Sequence, residues 1–101
     1  MAGLKYCEFA NELLCAIVEA SDYGAAGGNP RGQVDVFEAA DHAGLGRNEN
    51  WTDTAVRDFE DKGYISNVSR PISRPAQLFV LRVEAAGRER VELIRRSRNP
   101  L

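Results

Sequence analysis

The side chains able to do chemistry in this chain are few in kind. Its one histidine, His42, lies among Ala39, Ala40 and Ala43, a setting that suits a structural or solvated imidazole better than a general base. Cys7 and Cys15 stand eight residues apart, which on one helix is about 12 Å along the axis and beyond the roughly 7 Å Cα limit of a disulfide. Both read as free thiols of a reducing compartment, and one histidine leaves no four-ligand Cys/His spacing for zinc. Carboxylates are plentiful, yet no Asp or Glu pair has the apolar flanks that would raise a pKa for acid catalysis. Gly44-Leu45-Gly46-Arg47 has no strong strand before it and no phosphate-loop lysine after it, so it reads as a turn and not a nucleotide cradle. No enzyme, metal or cofactor is expected.

What remains is arginine. All eight basic residues after Gly63 are arginine, a set suited to bidentate recognition of phosphate or carboxylate. Across the 101 residues 13 Lys and Arg face 15 Asp and Glu, a formal charge of −2, which argues against a polycation that coats nucleic acid indiscriminately. That total conceals a division. Residues 1–62 carry five basic and twelve acidic side chains, a net −7, whereas residues 63–101 carry eight arginines and three glutamates, a net +5.

The elements that must position these groups follow from periodicity and punctuation. With 44% hydrophobic residues the composition is that of one globular domain over residues 1–101. Its ordered core is expected over 5–96, with a flexible loop at 24–32 and a frayed tail at 97–101. No apolar run approaches the roughly 20 residues of a membrane span, and the N-terminus has the wrong chemistry for a signal, so a cytoplasmic protein is expected.

From Leu4 to Ala20 the residues Tyr6, Phe9, Ala10, Leu13, Leu14 and Ile17 share one side of a helical wheel, opposite Lys5, Glu8, Asn11, Glu12 and Glu19. Gln33-Val34 forms a very short strand, and Asp35 with Glu38 starts a helix over Val36 to Ala43. Asn48 or Asn50 caps the next helix, which runs through Lys62 and turns Trp51, Ala55, Val56 and Phe59 inward. Gly63 ends it at the C′ position. Tyr64–Ser69 and Gln77–Leu81 read as a hairpin whose tip, Arg70-Pro71-Ile72-Ser73-Arg74-Pro75, cannot continue a ladder. Glu84 to Arg96 closes the chain as a helix with Ala86, Val91, Leu93 and Ile94 toward the core.

Three segments carry a resemblance. Val34-Asp35-Val36-Phe37-Glu38-Ala39-Ala40 resembles the first helix of the helix-turn-helix in winged helix-turn-helix domains. Ala55-Val56-Arg57-Asp58-Phe59-Glu60-Asp61-Lys62-Gly63-Tyr64-Ile65 resembles the recognition helix running into the first wing strand. Val83-Glu84-Ala85-Ala86-Gly87-Arg88-Glu89-Arg90-Val91-Glu92 is similar to the start of the last helix in many small bacterial members. The similarity covers about residues 5–96. It implies an α+β fold: a three-helix core, a two- to three-stranded antiparallel wing and a C-terminal helix. A generic α+β domain with a two-stranded sheet is the alternative.

The resemblance further implies a transcriptional regulator that binds double-stranded DNA. The recognition helix would enter the major groove with Arg47, Asn48, Asn50, Asp53, Thr54 and Arg57, while the wing's Arg70 and Arg74 reach phosphates or the minor groove. Such side chains can read sequence, since Asn pairs with adenine, Arg with guanine, and Asp accepts from a cytosine amine. Against this, Glu49 to Lys62 holds five acidic and two basic residues, so the expected contact is modest and led by the wing. Arg70 and Arg74 also fit a solvated hairpin tip. Family members often pair through terminal helices. Leu4, Cys15 and Val18, at the edge of the first helix's polar arc, with the outer side of the last helix, are the expected homodimer interface. The second functional reading is an interaction or oligomerisation module that binds an acidic or basic protein partner and no DNA.

Overall fold

A computed structural model describes residues 5–23, 34–46, 48–69, 78–80 and 82–98. It is an α+β chain with four helices and two small antiparallel sheets among the described residues: α1 (Tyr6–Tyr23), β1 (Val34–Asp35), α2 (Val36–His42), α3 (Glu49–Asp61), β2 (Ile65–Ser66), β3 (Phe79–Val80), β4 (Arg82–Val83) and α4 (Ala85–Arg98). The expected loop at 24–32 lies outside the described residues, as does Gln33 of the expected first strand.

α1 is the central element, packed against α2, α3 and α4. Phe9, Leu13, Leu14 and Ile17 are buried as the wheel predicts. Cys15 and Val18 are not at an outer edge: they are 7% and 4% exposed, inside the chain's own core. The reason is α4. It lies along the arc of α1 marked by Asn11, which faces Arg90 and Leu93, and by Glu19, whose Oε1 accepts from Arg95 Nη2 at 3.2 Å. Cys15 falls between these two on the wheel and Val18 lies about 20° beyond Asn11, and both are covered within the chain itself. Leu4 lies outside the described residues.

Helix ends follow local chemistry. Asp35 Oδ1 accepts from the Glu38 amide at 3.1 Å to start α2, and Asn48 Oδ1 accepts from the Trp51 amide at 3.0 Å to start α3. Each satisfies a backbone donor that the first helical turn leaves unpaired. Both helices end in the same way. Gly63 N–H reaches the Glu60 carbonyl at 3.1 Å and Tyr64 N–H the Phe59 carbonyl at 2.8 Å, with Gly63 at φ 76. Gly44 and Leu45 repeat the pattern on Asp41 and Ala40. Such a cap needs a left-handed residue at its C′ position, which glycine supplies without strain. Tyr64 then folds back on Phe59, ring centroids 6.2 Å apart.

The two sheets are linked. Ile65 pairs with Val83, Ser66 with Arg82 and Ser69 with Phe79, all in one antiparallel register. On its other side β3 pairs with β1, Val80 opposite Val34 and Phe79 opposite Asp35. Phe79 therefore sits between the first strand and the chain leaving α3. The first expected hairpin strand is interrupted after Ser66, where Asn67 takes a left-handed φ of 56, while Gln77 and Leu81 of the second lie outside the described residues.

α4 runs to Arg98, two residues beyond the expected end. Gly87, Val91 and Ile94 face the core, a spacing of one helical stripe. Ala86 and Leu93 lie one residue off it and are exposed, Leu93 at 56%. The phase is set by Gly87, where a Cβ would stand 2.5 Å from the Tyr64 carbonyl oxygen. No larger residue could approach β2 so closely.

Candidate nucleic-acid interface

α3 is seated by its first turn and its inner stripe. Trp51 meets Tyr6 and Phe9 of α1 edge to face, with ring centroids 5.7 and 5.5 Å apart. Thr52, Ala55, Val56 and Phe59 are buried beneath it. The aromatic anchor escaped the sequence reading, although Tyr6 and Phe9 at i, i+3 on α1 were its available signal. With that face fixed, helical spacing turns Asn50, Asp53, Thr54 and Arg57 to the other side. Asn50, Thr54 and Arg57 are exposed and Asp53 is half-buried.

These four share a face, yet their chemistry is partly committed. Arg57 Nε lies 3.0 Å from Asp53 Oδ2 in an i, i+4 pair. Exposed pairs of this kind contribute only about 0.3–0.5 kcal/mol, so the guanidinium can exchange its partner for a phosphate. Asn48 is half-buried and its side-chain carbonyl caps the helix. It therefore cannot present the donor–acceptor pair that adenine needs, and its role is to aim α3. Arg47, Arg70 and Arg74 lie outside the described residues.

Electrostatics on α3 is divided along its length. Near its C-terminus Lys62 Nζ and Asp58 Oδ2 are 2.9 Å apart, and the hydrogen bond and charge of Asp58 push the Lys62 pKa up. Burial, and then the same carboxylate, pushes the Tyr6 phenol up. Lys62 and Tyr64 border a groove of about 180 Å³ between α1, the end of α3 and α4, lined also by Tyr6, Cys7, Asp58 and Arg90. Among the described residues the arginines of the basic half lie on β4 and α4. Arg82 pairs with Glu84 at 3.5 Å, Arg88 donates to the Val83 carbonyl at 3.0 Å, and Arg96 pairs with Glu92 at 3.5 Å.

Among the described residues no group of three His, Cys, Asp or Glu side chains is placed to hold a metal, and no helix is long and apolar enough to cross a membrane. His42 is exposed in the last turn of α2, and neither Cys7, which is exposed, nor Cys15, which is buried, is in a disulfide. No family model, no curated protein and no solved structure matches this chain.

Proposed function

We propose that the chain is a winged helix-turn-helix protein that binds double-stranded DNA and acts as a cytoplasmic transcriptional regulator. α3 serves as the recognition helix and the β2–β4 hairpin as the wing. The observation that carries the reading is a juxtaposition. An anchored helix presents Asn50, Thr54 and Arg57 on its exposed side, and only Gly63 and Tyr64 separate its C-cap from the first strand of a hairpin that β1 completes. In this arrangement the outer residues of α3 reach base edges while the hairpin follows the neighbouring backbone. Gly44 and Gly46, both at positive φ, turn the chain after α2, as the turn of a helix-turn-helix would require.

One observation favours a second reading. The stretch Glu49 to Lys62 carries a net −3, and Arg57 is held by Asp53. A helix so charged repels the phosphate backbone, and it suits a module whose partner is a basic protein surface. Titration of a labelled duplex pool of mixed sequence at low salt separates the two. The DNA reading expects saturable binding that weakens steeply as salt rises. Absence of binding at the lowest salt would overturn it and leave the interaction module.

A further inference from the structure

We propose that the groove between α1, the end of α3 and α4 is a binding site for a small organic monocarboxylate with a compact apolar body. Its volume is about 180 Å³. A cavity of roughly 150 Å³ holds a benzene ring, so the groove has room for a branched alkyl or single-ring body. Ala10 and Leu14 of α1 and Phe59 of α3 give it an apolar wall, and Leu14 and Phe59 are core residues. Lys62, Arg90 and the side-chain amide of Asn11 border the same space. Apolar surface and cationic donors thus meet in one recess, the lining that suits an amphiphilic anion.

The charges decide the class of the occupant. Lys62 already has its counter-charge in Asp58, Nζ 2.9 Å from Oδ2. The hydrogen bond and charge of Asp58 raise the Lys62 pKa, and Arg90 is near enough to oppose that rise. Arg90 itself has no acidic partner among the described residues. Arg95 pairs with Glu19 and Arg96 with Glu92, whereas the residues three and four away from Arg90 on α4 are Ala86, Gly87, Leu93 and Ile94. One guanidinium charge therefore stands uncompensated beside an apolar recess. A monocarboxylate neutralises it and accepts two parallel N–H bonds from the guanidinium fork. Asn11, which borders the next groove together with Arg90 as well, is placed to donate a further bond. A phosphate dianion brings a second charge that only the Asp58-bound Lys62 could meet, and it leaves Ala10, Leu14 and Phe59 uncovered. A neutral apolar ligand leaves the guanidinium without a counter-charge.

Titration of the isotope-labelled full chain with isocaproate, followed by amide chemical shifts without DNA, tests this. Trp51, the chain's one tryptophan, lies 5.7 Å from the Tyr6 ring, so its fluorescence gives a second readout. Saturable shifts centred on Ala10, Asn11, Tyr64 and Arg90 are expected. Acetate, which lacks the apolar body, and isocaproamide, which lacks the charge, should each bind at least about tenfold more weakly, and inorganic phosphate should not displace isocaproate. Arg90→Gln should weaken isocaproate binding at least about tenfold, while Arg96→Gln leaves it unchanged, with circular dichroism confirming that both variants are folded. Absence of saturable shifts at tens of millimolar isocaproate, isocaproamide binding as well as the acid, or indifference to Arg90→Gln would each overturn the proposal. Duplex binding plays no part in the measurement, so its outcome is separate from that of the DNA reading.

Discussion

Replacing Gly87 by alanine should destabilise the fold, against the usual sign of that substitution in a helix. Elsewhere in a helix the change gains up to about 1 kcal/mol, because glycine has more backbone freedom to lose on folding. Here the new Cβ would lie 2.5 Å from the Tyr64 carbonyl oxygen and 3.2 Å from its carbon. Carbon and carbonyl oxygen approach favourably at about 3.3–3.6 Å, so β2 and α4 must part by nearly 1 Å. The contact is with backbone, which no rotamer change relieves. The same Tyr64 oxygen accepts from the Glu84 amide at 2.9 Å where the chain enters α4. Separation weakens that bond, worth about 0.5–1.5 kcal/mol, and adds an overpacking strain of about 1–3 kcal/mol. The expected net loss is roughly 1–3 kcal/mol, or several degrees or more in Tm for a domain of this size. Urea unfolding followed by circular dichroism measures it, with Ala86→Gly, exposed one residue earlier, as the control for helix propensity alone. A Gly87→Ala protein as stable as the wild type or more so would refute the close approach of α4 to β2.

Three further outcomes follow from the same geometry. Thr52 Oγ1 is fully buried with no hydrogen-bond partner among the described residues. Thr52→Val should therefore stabilise the protein by about 1 kcal/mol in urea unfolding, and a loss of stability would show that the hydroxyl is satisfied. The raised Tyr6 and Lys62 pKa values give a common sign, since the unfolded chain releases both protons first. Stability is complete below the ordinary values of about 10 and 10.4 and is lost as pH rises through the higher folded ones. Thermal melts between neutral and strongly alkaline pH should show this fall, and Tyr6→Phe should reduce it; an identical profile for the variant would contradict the burial of the phenol. Asp53→Asn removes one negative charge from the outer face of α3 and releases Arg57 from its 3.0 Å pair. On the DNA reading, binding of the mixed duplex pool should tighten several-fold at low salt, whereas unchanged or weaker binding would remove this face from the contact.

Much of the architecture was legible in the sequence because its punctuation is local. Asp35 with Glu38, Asn48 with Trp51, and Gly63 act within one helical turn, so a short window of residues suffices to read them. The inner stripe of α3 was legible for the same reason. What could not be read depended on distant neighbours. Cys15 and Val18 look marginal on a wheel of α1 alone, and packing against the rest of the core buries them. The phase of α4 was misread at Ala86 and Leu93 because a glycine scores as nothing on an apolar wheel, although its missing side chain is what lets the helix touch Tyr64. Within the candidate site, the outward side of Asn50, Asp53, Thr54 and Arg57 followed from spacing. The diversion of the Asn48 carbonyl into a cap followed from backbone geometry, which periodicity does not contain.

The claim that α3 and the hairpin form a DNA-binding unit is tested most directly by the salt dependence of duplex binding, wild type beside Arg70→Ala/Arg74→Ala. Each phosphate contact contributes about 0.9 to the slope of log K against log salt. The account predicts a steep slope for the wild type and one shallower by about 1.8 for the double variant, if each arginine holds one phosphate. Equal slopes would contradict a wing-led contact, and no binding by either protein at low salt would contradict DNA recognition itself.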